Sequence, residues 1–213
     1  LININQKEIV LKLIITSIFL MSTAFSQNDL TVTLGLNQSN YTYNDNDWVD
    51  NTDIDYITGF NLAVEKPFGS LVFGAGFNQR GVKLSAELQG YYGYNVDVEV
   101  EEKINYLTLH SIYPISLQSG LSAFGGLQLG KGIGGDMRMK MSGGGSSDDE
   151  SEDIDSDEIA IDYGVLLGIE YMINEQIGVR GAYFKGLSDV SEEAVDDENF
   201  KSNTISISLT YKL

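Results

Sequence analysis

Three aspartates at alternate positions, Asp153, Asp155 and Asp157, are spaced like the first ligands of a calcium-binding loop. The EF-hand loop also needs glycine at its sixth position and glutamate at its twelfth. In this sequence Glu158 and Gly164 occupy those positions, so both requirements fail. The spacing therefore predicts no dedicated metal site and leaves only a weak divalent-ion candidate at the three aspartates.

His110 is the only histidine of the chain, and serine chemistry would require it beside a nucleophile. Ser111 follows it directly, so on a β-strand the two side chains point to opposite faces. Thr108 shares the face of His110 but is a weak nucleophile. The glycine-rich stretch 125–135 lacks the Lys-Ser/Thr pair that opens a helix in phosphate-binding loops. We therefore predict no catalytic residue and no cofactor site, and we interpret His110 as a residue at a membrane interface.

The charge of the chain excludes one class of partner. It has 31 acidic and 13 basic residues, and its net charge is -18. Nucleic acid is excluded as a partner because its recognition needs a basic surface. The densest acidic stretch, GGGSSDDESEDIDSDE at 143–158, has no basic residue, and this composition predicts a solvated, disordered segment. Cysteine is absent, which excludes disulfides and thiolate metal sites.

Hydrophobic residues recur with a period of two, which is typical of β-strands that have one apolar face. The clearest case is 159–171, where Ile161, Tyr163 and Val165 alternate with small or acidic residues. These segments are mostly longer than globular strands, which average about 5 or 6 residues, and they match the about 9–11 that a bilayer crossing requires. The eight segments are 30–40, 56–65, 71–82, 104–113, 121–131, 159–171, 177–187 and 203–213.

The connections between these segments alternate between short turns and long polar loops. The short ones are 66–70, 114–120 and 172–176, and the long ones are 41–55, 83–103, 132–158 and 188–202. Short turns at one end and long loops at the other are the layout of an outer-membrane barrel. Strands in lipid must also close into a ring, because no backbone group can remain unpaired there. We predict an all-β fold, an eight-stranded antiparallel transmembrane up-and-down β-barrel with long acidic outer loops.

The interior of such a barrel has room only for side chains. The strand face opposite the apolar one carries glycines and charged residues, and buried charges persist only when they are paired. We therefore predict a structural network inside the barrel, centred on Arg80 and Arg180 with Glu65 and Glu170; the alternative is a gated, narrow conduit. The predicted members of the network are Glu65, Arg80, Asp162, Glu170, Arg180 and Lys212.

The first 26 residues predict a signal peptide. A weakly basic start precedes an apolar run at 13–21, and small residues follow at 24–26, where a signal peptidase cleaves. The apolar run is shorter than the about 20 residues that a membrane helix needs. We therefore expect a cleaved signal peptide at 1–26 and an outer-membrane β-barrel domain at 27–213.

Three stretches resemble the PorT-like outer-membrane β-barrel family of Bacteroidota. They are LVFGAGFNQRGVK at 71–83, INYLTLHSIYPI at 104–115 and IDYGVLLGIEYMINEQIGVRGAYFKGLSDV at 161–190. The third is the most specific, with its Asp-Tyr-Gly start and its Tyr-Phe-x-Gly-Leu end. The resemblance covers most of 27–213 and implies a barrel located in the bacterial cell outer membrane.

Three functions are consistent with these patterns. The first is an integral outer-membrane barrel with a structural or surface-interaction role and no catalysis. The second is a small transport or protein-secretion accessory barrel, and the third is a secreted lipocalin-like barrel that binds an apolar ligand. For the first, the expected partners are outer-membrane lipid, lipopolysaccharide and an unknown protein partner at the outer loops.

Overall fold

The computed structural model describes residues 30–43, 52–89, 95–143, 146–189 and 200–213, and the regular structure in those ranges is entirely β. The predicted signal peptide lies outside the described residues. No helix of the described ranges is long and apolar enough to cross a membrane. The strands are β1 (Thr31–Tyr43), β2 (Thr52–Asp55), β3 (Ile57–Phe68), β4 (Leu71–Gln89), β5 (Asn95–Gln118), β6 (Leu121–Gly143), β7 (Ser146–Ile154), β8 (Ile161–Met172), β9 (Ile177–Gly186) and β10 (Phe200–Lys212).

Eight of these strands close into a ring. In chain order β1, β3, β4, β5, β6, β8, β9 and β10 each pair antiparallel with the next one. The ring closes because β10 pairs with β1 over the whole length of both strands. This order confirms the predicted eight-stranded antiparallel β-barrel. The two remaining strands lie outside the ring, since β2 pairs with β4 and β7 pairs with β6.

The alternation along the strands separates an apolar exterior from a polar interior. Leu36, Leu127 and Ile207 on the outer wall are 60%, 65% and 65% exposed, whereas Glu65 and Asp162 on the inner wall are 2% and 0% exposed. A continuous surface of leucine and isoleucine is seldom left in contact with water, and it normally marks a region that lipid or a partner protein covers. A lipocalin-like barrel has its apolar face inside. That hypothesis is therefore wrong, because the apolar face of this barrel lies outside.

The predicted long loop 83–103 is largely a hairpin. β4 and β5 stay paired from Val72 opposite Ile112 up to Gln89 opposite Asn95, well beyond the end of the ring. Strands β2 and β3 both pair with β4, but their registers differ by one residue. If the pairing of Asp55 with Lys83 continued into β3, residue 61 would lie opposite residue 77, whereas it pairs with residue 78.

The acidic stretch 143–158 also contains a strand. β7 pairs antiparallel with β6 from Gly143 opposite Ser146 to Gly135 opposite Ile154. The expectation of a disordered segment is wrong for 146–154, because backbone pairing with β6 fixes these residues. Together β2, 83–89, 95–103, 135–143 and β7 form one antiparallel sheet, which we call the protruding sheet.

A β-bulge marks the point where β6 leaves the ring. Ile104 pairs with Gly135 and Tyr106 with Gly132, so two residues of β6 lie opposite one residue of β5. Gly134, in the bulge, has φ of 123°, a conformation that a residue with a side chain rarely adopts. The extra residue reverses which side chains of β6 face the barrel axis. Even-numbered residues such as Gln128 face inward before the bulge, and odd-numbered residues face inward after it.

Candidate functional site

The first ionic cluster inside the barrel lies toward the short-turn ends of the strands. Glu65 of β3 is its centre. Arg180 Nη2 donates to Glu65 Oε2 at 2.9 Å, and His110 Nε2 lies 2.9 Å from Glu65 Oε1. The same Arg180 Nη2 reaches Glu170 Oε2 at 3.4 Å, and the Thr210 hydroxyl donates to Glu170 Oε1 at 2.8 Å. Strands β3, β5, β8, β9 and β10 are thereby joined across the interior.

The second cluster lies toward the other end and is built on Asp162 of β8. Arg80 forms an ion pair with Asp162, and both side chains are fully buried. The hydroxyl groups of Ser202 and Ser188 donate hydrogen bonds to the same carboxylate, at 2.6 and 3.2 Å. The Arg80 guanidinium also lies 4.1 Å from the centre of the Phe184 ring, a cation–π distance. The ion pair with Asp162 neutralises the buried arginine, and the Phe184 ring covers it.

Five of the six residues predicted for the interior network are inside and bonded in one of the two clusters. Lys212 is exposed and is not among the bonded residues of either cluster. It shares the inward face of β10 with Thr210, but it lies at the end of the strand, where the barrel opens to solvent. The predicted four-residue centre is also divided, because Arg80 pairs with Asp162 and only Arg180 contacts Glu65 and Glu170.

The interpretation of His110 as an interface residue is wrong. Its side chain is 7% exposed and lies inside the barrel, against Glu65. The strand alternation carried this information, because Thr108 on the same face is 6% exposed and Leu109 on the opposite face is 59% exposed. The sequence reasoning also missed Ser202 and Thr210, which occupy inward positions of β10. Ser188 follows the end of β9, and the alternation gave no signal for it.

The clusters contain no arrangement suited to catalysis or metal binding. Each of the carboxylates of Glu65, Asp162 and Glu170 is bonded to an arginine, and the His110 ring is directed at Glu65 and away from Ser111. In the part of the chain that the structure describes, no three His, Asp or Glu side chains converge in a way that could hold a metal ion. The three aspartates of the weak divalent-ion candidate, Asp153, Asp155 and Asp157, are exposed and do not form such a group.

One face of the protruding sheet is charged and is crossed by ion pairs. Lys83 Nζ lies 2.8 Å from Glu99, Lys140 Nζ lies 3.6 Å from the same carboxylate, and Arg138 Nε donates to Asp149 at 2.8 Å. The hydrogen bond from Lys83 lowers the pKa of Glu99 below its usual value and raises the pKa of Lys83. A groove of about 710 Å³ lies at the outer part of the sheet and is lined from both faces, by acids such as Glu99 and Asp149 and by Val98 and Met141. The charged face itself is hydrated and carries more acidic than basic side chains.

Comparison with known proteins places this geometry in a family. The family model for the outer membrane protein beta-barrel domain matches residues 13–212. The chain belongs to this family. It is accordingly a bacterial outer-membrane protein. No curated protein sequence matches the chain.

Several solved structures of outer-membrane barrels are similar to this chain at low sequence identity. Neisserial surface protein A is 15% identical over 86% of this chain and 97% of its own, with a TM-score of 0.49. Ail, the attachment invasion locus protein of Yersinia pestis, is 15% identical over 88% and 100%, with a TM-score of 0.43. The outer membrane protease OmpT from Escherichia coli is 10% identical over 89% and 98%, with a TM-score of 0.44.

Proposed function

We propose that this outer-membrane barrel presents the protruding sheet to partners at the cell surface and carries no catalysis. The observation that supports this most directly is the contrast between the two parts of the molecule. Ion-paired side chains that cross the interior join strands on opposite walls, which suits a rigid support. The protruding sheet extends beyond that support, and its strands stay paired well past the end of the ring.

Partners of two kinds fit this proposal. Outer-membrane lipid and lipopolysaccharide would surround the apolar wall, where Leu36, Leu127 and Ile207 are exposed. A protein partner would meet the protruding sheet. Membership of the PorT-like group of Bacteroidota is also part of the proposal, supported by the stretches at 71–83, 104–115 and 161–190. That membership alone assigns no secretion role.

The proposal can be tested by removing the outer hairpin of β6 and β7. Asp136 and Asp153 are register partners, so their Cα atoms are about 5 Å apart. A two-residue Asn-Gly turn can therefore join them in place of 137–152. The ring pairings of β6 lie outside the excised segment, so we expect the variant to insert and to keep heat-modifiable migration on gels.

The decisive readout is a comparison in cells of the excised variant with removal of the whole protein. If the barrel serves to present this sheet, both should give the same change in cell aggregation and surface adherence. An inserted, excised barrel that restores the wild-type behaviour would overturn the proposal. A variant with an Asn-Gly insertion between Gly69 and Ser70, at a short turn, serves as the control for introducing this dipeptide elsewhere in the barrel.

The transport alternative predicts a different measurement. A gated conduit would pass ions through the barrel in a planar lipid bilayer. Because Arg80 and Asp162 pair across the interior and are fully buried, we expect no steps of conductance from the wild-type protein. Steady conductance that increases in an Asp162→Asn variant would instead favour a conduit gated by this pair.

A further inference from the structure

The second face of the protruding sheet is apolar. The registers place Met137, Met139 and Met141 of β6 opposite Glu102, Val100 and Val98 of β5, and those valines lie opposite Leu84 and Ala86 of β4. The side chains are half-buried, except Met141, which is 43% exposed. This face continues the inner wall of the barrel, and it does so only because the bulge at Gly134 turns the methionines toward the axis.

Only the base of the apolar face is packed. Next to the ring, Ile54 and Leu84 pack on a cluster of Tyr41 and Val82, and Ile154 packs on a second cluster. Val98, Met139 and Met141 belong to neither cluster of the described residues. Rows of valine and methionine side chains that remain partly exposed to water are characteristic of a binding surface.

A row of carboxylates borders this apolar surface. Across the β6–β7 pairing, Met141 lies opposite Asp148, Met139 opposite Glu150 and Met137 opposite Glu152. Residues directly opposite each other have side chains on the same face, so all three acids point to the methionine side. The acids are exposed. The surface therefore combines an apolar floor with a negative border along one edge.

The spacing of the border matches a helix. Alternate residues of a strand are about 6.7 Å apart, whereas residues four apart on an α-helix are about 6.0 Å apart along its axis. A helix lying along β7 with a basic residue at every fourth position would thus meet all three carboxylates. Its neighbouring apolar face would cover the methionines, whose flexible side chains adapt to irregular partners.

We propose that this face binds a basic amphipathic helix of a partner protein, with the apolar side of the helix on Met137, Met139 and Met141 and its basic side on the acids of β7. The inference rests on the proposed role in surface interaction and names the chemistry of the partner. A second copy of this chain fits poorly, because the acidic borders of two copies would repel each other.

The experiment uses the full protein in phosphatidylcholine nanodiscs and a dye-labelled peptide as the probe. The peptide is a 16-residue sequence of Leu and Lys arranged as an amphipathic helix, and its fluorescence anisotropy is corrected with empty nanodiscs. A peptide of the same composition in scrambled order is the first control. We expect the ordered peptide to bind at least about tenfold more tightly than the scrambled one, because only it presents apolar and basic sides together.

Strands β6 and β7 supply a matched pair of variants. Asp148→Asn, Glu150→Gln and Glu152→Gln together remove three charges from the apolar face, whereas Asp136→Asn, Asp149→Asn and Asp153→Asn remove three from the charged face. We expect the first triple variant to weaken binding about tenfold and the second to weaken it less than about threefold. Met139→Ser with Met141→Ser should weaken it as the first triple does.

Three results would overturn the inference: no binding of the ordered peptide, equal binding of the scrambled peptide, or equal losses in the two triple variants, which would mean that net charge alone attracts the probe. Heat-modifiable migration confirms that each variant is folded, and the single Glu150→Gln variant replaces the first triple if that triple does not fold. A negative result in this experiment leaves the proposed function intact, because the excision of the β6–β7 hairpin tests that function separately.

Discussion

The two interior arginines illustrate how single residues stabilise the barrel. Arg180 bonds with both Glu65 and Glu170, and Arg80 bonds with Asp162 while it lies against the Phe184 ring. Removing one partner of such a pair leaves an uncompensated buried charge, which costs about 3–5 kcal/mol, whereas replacing both costs much less. These residues thus act as pairs, and their contributions must be measured as pairs.

A double-mutant cycle on Glu65 and Arg180 tests this. We expect Glu65→Gln alone and Arg180→Met alone each to lower the free energy of unfolding by about 3 kcal/mol, because each removes the main ion-pair partner of the other group. The double variant should lose at least about 1 kcal/mol less than the sum of the two. Urea titration followed by heat-modifiable migration measures these values. Lys212→Met is the control and should change the free energy by less than about 0.5 kcal/mol, since Lys212 is exposed. Additive losses would contradict the pairing.

The ion pair of Lys83 and Glu99 is a residue-scale feature outside the membrane. The lowered pKa of Glu99 means that its contribution to the folded sheet is present above the unfolded pKa of the carboxyl and is lost as pH falls through the lower folded value. The raised pKa of Lys83 means that its contribution is present below its unfolded pKa and is lost only as pH rises through the higher folded value. The pair therefore operates at neutral pH and fails in acid.

Lys83→Met should raise the titration midpoint of Glu99 toward its ordinary value, because the hydrogen bond from Lys83 is the main cause of the shift. Carbon-13 NMR of the side-chain carboxyl measures this midpoint. Lys103→Met is the matched control, since Lys103 pairs with Glu101 and not with Glu99. An unchanged midpoint in Lys83→Met would show that the pair does not persist in solution.

At the scale of elements, one bulge decides what the protruding sheet can do. Without the extra residue at 133–134, β6 would direct Arg138 and Lys140 toward the axis and Met139 away from it, because one residue of register exchanges the two faces of a strand. The bulge places the methionines on the continuation of the inner wall and leaves the basic side chains to pair with Glu99 and Asp149.

Gly134→Ala tests the requirement for glycine in the bulge. An added Cβ would meet the Ile154 carbonyl oxygen only at 3.5 Å, so space is available, but φ of 123° strains any residue with a side chain. We expect a loss of about 1–3 kcal/mol, localised to the protruding sheet. Hydrogen exchange should accelerate for amides of 135–143 and remain unchanged in 121–131. Gly125→Ala, at an ordinary φ and with its nearest contact at 3.3 Å, is the control. Unchanged hydrogen exchange of the 135–143 amides in Gly134→Ala would contradict the predicted strain.

At the scale of the whole molecule, the ring and the protruding sheet divide the charge. The acidic residues of β7 and of the β4–β5 hairpin lie at one end of the barrel, and the turns at 69–70 and 119–120 lie at the other. Long hairpins face the cell exterior and short turns the periplasm in barrels of this class. We therefore predict that the protruding sheet of this chain faces the cell exterior and that its short turns face the periplasm.

Single cysteines test the orientation in a chain that has no cysteine of its own. Ser151→Cys on β7 and Ser70→Cys in the first short turn are matched substitutions at exposed positions. On intact cells a membrane-impermeant maleimide should label Ser151→Cys fully and should label Ser70→Cys only after the outer membrane is permeabilised. The reverse pattern would mean that the protruding sheet faces the periplasm.

The sequence by itself determined the wall of this barrel. The period of two is a local property of each strand, so it predicted the number of ring strands, the apolar exterior and the inward position of residues such as Glu65 and Arg80. It also contained the correct face for His110, which the wrong interpretation as an interface residue overlooked.

Only the tertiary structure decided which inward groups meet. Arg80 and Asp162 are 82 residues apart, and Arg180 and Glu65 are 115 apart. Their contacts follow from the register and tilt of a closed ring, which no local pattern specifies. The strand at Ser146–Ile154 and the bulge at Gly134 likewise depend on the pairing between strands, which no local pattern specifies. An acidic segment becomes a strand because β6 offers it a backbone edge, and the face of each methionine depends on one extra residue in the pairing with β5.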